Sequence, residues 1–229
     1  MYNQLSFTES PYDDLTTKLH RGLILSTSCS ARNPHCLEMS QALFHKWITA
    51  PDKSLLQDVK SFVYCEGIRN GSEKVWYMVW DKLMLTDLHT EQELLLQGLG
   101  CTHRTNLIDK FLELSLSEEY GVRKQYRTTI FNAVLNGDIR NVDHTLQFVQ
   151  YNFQRIIDLR GYDFLDKMIT AIGNAMTTNE QTAKLRSFVN ENIDKFGTAL
   201  NGAKEAIAAS SRNVEWIAKY SPSIAKILC

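Results

Sequence analysis

The sequence predicts an all-α fold: a superhelical stack of antiparallel helix pairs, an armadillo/HEAT-like α-solenoid. Three observations predict it. Apolar residues recur at helical spacing along most of the 229 residues. About a dozen such stretches follow one another through short links, and none is long enough for a four-helix bundle. Nowhere do strand patterns alternate with helical ones, which argues against a parallel α/β sheet. No internal repeat is readable, so the solenoid rests on element number and link length.

Each element has its own signals. Pro11 is placed at the first turn of a helix running to about Ser28, and Asp13-Asp14 reads as its acidic first turn. Pro34 opens a second helix, carrying Leu37, Leu43, Phe44 and Trp47, which Pro51 stops. A third runs from about Ser54 to Arg69 and ends at the C-cap signature Asn70-Gly71. The fourth begins at Ser72 and has the face Trp76, Val79, Trp80 and Leu83. Thr90 and Glu93 form a capping-box pattern for the fifth. Leu107, Phe111, Leu112 and Leu114 mark the sixth. Further helices are predicted over about Lys124–Leu135, Asn141–Leu159, Asp163–Met176, Glu180–Phe196 and Thr198–Lys219. Ser221-Pro222 starts a last short turn. The aromatic and Met positions on these faces are read as core.

Composition sets further limits. Hydrophobic residues make up 44%, charged residues 22%, and the net charge is −1. That is ordinary globular composition. It gives no reason to expect a nucleic-acid partner. No apolar run reaches the length of a membrane span; Leu23–Ser28 is the best and is short. Residues 1–10 do not look like a secretory signal, and nothing near Cys229 looks like a lipid-anchor tail. The five cysteines do not fix their own pairing, and buried reduced thiols remain an open alternative.

Motifs that carry chemistry are missing. There is no H-E-x-x-H helix, and His20, His35, His45, His89, His103 and His144 are scattered without ligand spacing. Nucleophile-elbow and phosphate-loop patterns are absent too. Glu118-Glu119 reads as solvated loop. Asn70-Gly71-Ser72 is an N-glycosylation sequon as well as a helix end, and both can hold together.

A series of short pieces, in order through nearly the whole chain, resembles a known family. They are Ser28-Cys29 with Cys36; Leu43-Phe44 and Trp47; Val63-Tyr64-Cys65; Gly67-Ile68; Asn70-Gly71; and Trp76 with Trp80. Then follow Leu99-Gly100-Cys101, Phe111-Leu112-Glu113 with Leu116, Val122-Arg123-Lys124-Gln125, Thr177-Thr178 with Leu185 and Phe188, and Asn213-Val214-Glu215-Trp216. Together they resemble the C-terminal helical domain of the zinc aminopeptidases of the aminopeptidase N type. By this resemblance residues 1–229 form one such domain, without the N-terminal zinc catalytic domain.

The resemblance implies disulfides Cys29–Cys36 and Cys65–Cys101, which would stabilise by about 2–3 and 3–4 kcal/mol in the chain-entropy model. Disulfides imply the secretory pathway, the cell surface or the extracellular space. With no signal in this sequence, that is most simply met if the chain is part of a longer protein or a truncated product. Zinc, its ligands and the catalytic groups of the family lie upstream of this domain, so none is expected here. The domain is expected to cap the active-site cavity and help bind peptide substrates, with the catalytic domain as a partner and a homodimer as a further option. Three departures stand out. Tyr126 replaces an acidic residue after Gln125, Asn174-Ala175 replace a basic pair before Met176, and Phe153 replaces a tryptophan. The competing expectation is a free-standing scaffold that binds a protein or peptide on its concave face.

Overall fold

The computed structural model describes residues 2, 5–50, 55–117 and 123–228, and every regular element among them is helical. The helices are α1 (Leu15–Ser30), α2 (Pro34–Thr49), α3 (Lys60–Arg69), α4 (Glu73–Leu85), α5 (His89–Leu99) and α6 (Thr105–Leu116). They continue as α7 (Arg127–Gly137), α8 (Asn141–Tyr151), α9 (Phe153–Arg160), α10 (Tyr162–Ala175), α11 (Asn179–Glu191) and α12 (Leu200–Leu228). A 3-10 turn, Lys124–Tyr126, leads into α7, and two more lie between α11 and α12. Pro51, Ser54, Glu118, Glu119, Val122 and Cys229 lie outside the described residues.

Side chains set several helix starts. Asp14 accepts from the Thr17 amide, Asn33 from Cys36 with Pro34 just inside, Ser72 from Val75, and Thr178 from Gln181. The first helix therefore begins at Leu15 rather than at Pro11. Asp13 lies before it and pairs with the buried Arg21, which also reaches Asp58 at 2.8 Å. The capping box expected at Thr90 is not formed: α5 starts at His89, with no side-chain cap.

The helix ends differ more from expectation. α3 stops at Asn70-Gly71, but Asn70 keeps a right-handed conformation (φ −97°, ψ −3°). Gly71 is required by space, since a Cβ there would sit 2.8 Å from the Gly67 carbonyl oxygen. α1, by contrast, ends in a left-handed residue that is not glycine, Arg32 (φ 63°). The Arg32 amide donates to Cys29 O and the Asn33 amide to Ser28 O, the paired bonds of a Schellman end. The helix expected over Asn141–Leu159 is broken at Asn152, where the backbone leaves the helical range (φ −98°, ψ 14°) while its amide and side chain both donate to the Phe148 carbonyl. α12 runs straight through Pro222, where the expected pattern had a separate turn. The helix is exposed there, so a carbonyl freed by the proline can face water.

The helices pack as sequential pairs: α2 on α3, α4 on α5, α6 on α7, α9 on α10 and α11 on α12. One member of each pair also packs on its counterpart in the next, giving the run α3–α5–α7–α10–α12. Glycines let these helices approach: Gly100 faces the backbone of Ala133, and Gly173 faces that of Ala206. Asn141, itself buried, donates to Thr102 O (3.0 Å) and Val134 O (3.1 Å), tying α8 to the ends of α5 and α7. A continuous apolar core fills the space between the layers. Trp76 is in it, 2% exposed, with its indole N–H bonded to Leu99 O at 3.1 Å. Trp80 stacks on Trp76 at 5.7 Å, so both tryptophans are packing residues. Phe153, in place of the family's tryptophan, packs edge-on against Phe188 and tilted against Phe196. No helix among the described residues is long and apolar enough to cross a membrane.

Candidate functional site

The first turns of α3 and α5 and the turn before α7 lie side by side and hold a polar network. Glu91 is its centre. It accepts from Lys60 Nζ at 2.6 Å and from the Tyr64 hydroxyl at 2.5 Å. Burial, and then the adjacent Glu91, hold the Tyr64 phenol far above its ordinary range, so it stays a donor. Beside it, Gln92 Nε2 donates to Thr86 O, which turns its Oε1 toward Tyr126. The Tyr126 hydroxyl donates to that oxygen at 2.6 Å and lies 2.6 Å from His89 Nδ1, with the His89 ring stacked on the Tyr126 ring. The residue that departs from the family pattern thus locks α7 to α5. An acidic residue there would lack the ring that stacks on His89.

Two grooves open on the helix layers. One, of about 320 Å³, lies between α7 and α10 and is bordered by Thr128, Asn132, Asp166, Lys167, Thr170 and Asn174. Phe131, Phe164, Met168 and Ala171 make its floor apolar, and the polar border above them can hydrogen-bond an extended chain. The other, of about 660 Å³, lies between α6, α8 and α9. Phe148 and the outstanding Tyr151 line it, and a His144–Asp109 hydrogen bond at 2.7 Å and an Arg155–Glu113 ion pair cross it.

The cysteines come together in two disulfides. Cys29–Cys36 joins α1 to α2, and Cys65–Cys101 joins α3 to the turn after α5. Asn70 is exposed at the end of α3, and its Nδ2 donates to Glu66 O at 3.0 Å. Next to the second disulfide is a charge cluster that sequence patterns did not single out. Glu66, 2% exposed, accepts from Arg32 and Arg69. Arg69 also donates to Gly137 O at 2.5 Å and lies 3.3 Å from Asp138. The Arg140 side chain and amide, with the Arg69 charge, hold the Asp138 carboxyl down at about 2. The visible clue was local only: Glu66 and Arg69 stand three apart on one helix. Their long-range partners arrive through the fold.

No group of three or more His, Cys, Asp and Glu side chains converges among the described residues. His35 bonds Tyr2, His89 bonds Tyr126, and His144 bonds Asp109, so each of these three has its partner elsewhere.

Comparison with known proteins agrees with this picture. Residues 1–210 match the family model described as the ERAP1-like C-terminal domain. The chain is 27% identical over 215 residues to aminopeptidase N of Plutella xylostella, covering 93% of this chain and 22% of that protein. It is 26% identical over 197 residues to human aminopeptidase N, covering 84% and 20%. Human thyrotropin-releasing hormone-degrading ectoenzyme is 26% identical over 204 residues, covering 88% and 18%. The chain spans about a fifth of the length of these relatives.

Proposed function

The chain belongs to the ERAP1-like C-terminal domain family, and on that premise we propose that it serves as the C-terminal helical domain of a zinc metallo-aminopeptidase. In this reading it caps the cavity where N-terminal residues are removed from peptides, and its α3–α5–α7–α10–α12 layer faces that cavity. The observation that carries the reading is the ordered family match over residues 1–210 of a chain that spans about a fifth of its relatives. Packing supports the choice of face. The α3–α5–α7–α10–α12 helices pack on one another much more closely than their partners do, and the closer layer of a curved stack lies on its inside. The groove between α7 and α10, polar at its border and apolar at its floor, lies between helices of that layer and suits the distal part of a peptide.

The donors among the described residues do not fit a zinc site: no three His, Cys, Asp or Glu side chains converge, and His35, His89 and His144 are bonded elsewhere. Zinc and the bond-breaking groups belong, in this reading, to the N-terminal catalytic part. What this chain supplies is enclosure and positioning: a closed cavity excludes water and holds the peptide for reaction. The relatives' names place one of them outside the cell, as an ectoenzyme. The two disulfides suit the same compartment, and exposed Asn70 in its sequon is the position proposed to carry a glycan there.

The test is a chimera in which this chain replaces the matching region of Plutella xylostella aminopeptidase N. Expected is zinc-dependent removal of N-terminal residues. Asn132→Ala with Asn174→Ala should raise KM for peptides of eight or more residues, with little change for leucine p-nitroanilide. A truncated enzyme with no C-terminal region that cleaves both substrates like the whole enzyme would overturn the reading. So would zinc-dependent aminopeptidase activity of this chain alone.

A further inference from the structure

α1 has two unlike faces. One buries Arg21, Leu25 and Cys29 and packs on α2 and α3. The other carries Leu15, Leu19 and Leu23, which are 72%, 66% and 62% exposed. Their spacing of four places them in one stripe along the helix. Beside the stripe is a trough of about 410 Å³, floored by Gly22, walled by Leu15, Leu19, Gln57 and Asp58, and edged by the Lys18–Glu9 ion pair. Isolated exposed leucines are common, but three in register on one helix, two of them lining a trough, form a docking face. The terminal element of a helical stack ordinarily turns a polar surface outward, whereas the exposed side of α1 sets three leucines among the polar Thr16, His20 and Thr27.

We propose that this face of α1 is the seam onto which a helix from the preceding part of an aminopeptidase chain docks, with apolar side chains at helical spacing filling the trough. The inference rests on the family reading. About four-fifths of each relative's length lies outside the part this chain matches, and the matched family is a C-terminal domain. The additional length therefore lies on the N-terminal side, toward α1. The residues that make the seam are Leu15, Leu19 and Leu23.

Thiol labelling tests it. In a Cys229→Ser background, Leu19→Cys reports the seam and Arg186→Cys, on exposed α11, reports a remote surface. Each is labelled with a maleimide in this chain alone, in the Plutella chimera, and in this chain mixed with the upstream part of that enzyme. Expected is fast labelling at both positions in the chain alone. In the chimera or the mixture, labelling at position 19 should slow at least tenfold while position 186 is unchanged. Equal labelling at position 19 in all three formats overturns the inference. So does self-association of the chain alone that Leu19→Lys abolishes, which would make a second copy the occupant. Protection at position 19 by anionic vesicles but not by the upstream polypeptide would assign the face to a membrane and overturn it as well. Protection is read independently of peptidase activity, so an inactive chimera with a protected position 19 would count against the proposed function and leave the seam standing.

Discussion

Replacing Gly173 by alanine sets two effects of opposite sign against each other. Gly173 lies inside α10, where helix propensity alone favours alanine by about 1 kcal/mol. Its new Cβ, however, would sit 2.5 Å from Ala206 O and 2.7 Å from Ala206 Cα, both on α12. Ordinary contact needs about a further 1 Å, and the neighbour is helix backbone, which can yield only if the two helices part. Overpacking a well-filled site costs about 1–3 kcal/mol, and a backbone neighbour places this case at the upper end. The net expectation is a loss of about 2 kcal/mol, or about 4–8 °C in Tm for a chain of this size. Gly202→Ala is the internal control on the same helix pair. There the obstacle is the Asp166 carboxylate, the end of a side chain that can swing aside, so that change should be neutral or slightly stabilising. Urea denaturation and thermal melts of both variants measure the difference. A Gly173→Ala protein more stable than the parent would refute the close α10–α12 contact and, with it, the argument for which layer lies inside.

Two further outcomes follow from the disulfides and the charge cluster. Replacing Cys65 and Cys101 with alanine opens a link between residues 36 apart, and should cost about 4 kcal/mol in the chain-entropy model, against about 2 kcal/mol for Cys29 and Cys36, 7 apart. Non-reducing melts of the two double variants should therefore rank in that order, and the reverse ranking would show that loop length does not govern their contribution. Asp138→Asn removes a carboxylate whose folded pKa is depressed to about 2. A depressed pKa stabilises the fold above the unfolded carboxylate range, and that stabilisation disappears as pH falls through about 2. Because its main partner Arg140 is 59% exposed, the loss at pH 7 is about 1 kcal/mol rather than the full linkage value. Stability curves of parent and variant should converge as pH is lowered from 5 to 2, and a constant gap would show that the charge is not the cause.

Much of the helical pattern was legible because its causes are local. Trp76 and Val79 repeat on one face, Asn33-Pro34 and Ser72 cap, and Asn70-Gly71 ends α3. The misplacements also have local causes that sequence patterns weigh poorly. Asp14, not Pro11, holds the first N-cap because its carboxylate reaches an amide. Asn152 divides α8 from α9 by a change of backbone angle that no apolar periodicity signals. Pro222 fails to end α12 because the helix there is bathed in water.

By itself the sequence determined the all-helical class, the family, and the cysteines that the family resemblance pairs. These follow from periodicity and from short pieces in fixed order, both of which are properties of neighbours along the chain. Only the tertiary structure decided which glycines separate helix backbones, that Tyr126 locks α7 to α5, and that Arg69 joins Glu66, Gly137 and Asp138. It also decided that Leu15, Leu19 and Leu23 face outward while Leu25 faces in. Burial and long-range partnership are set by how helices meet, and residues 68 apart, such as Arg69 and Gly137, become neighbours only when they do.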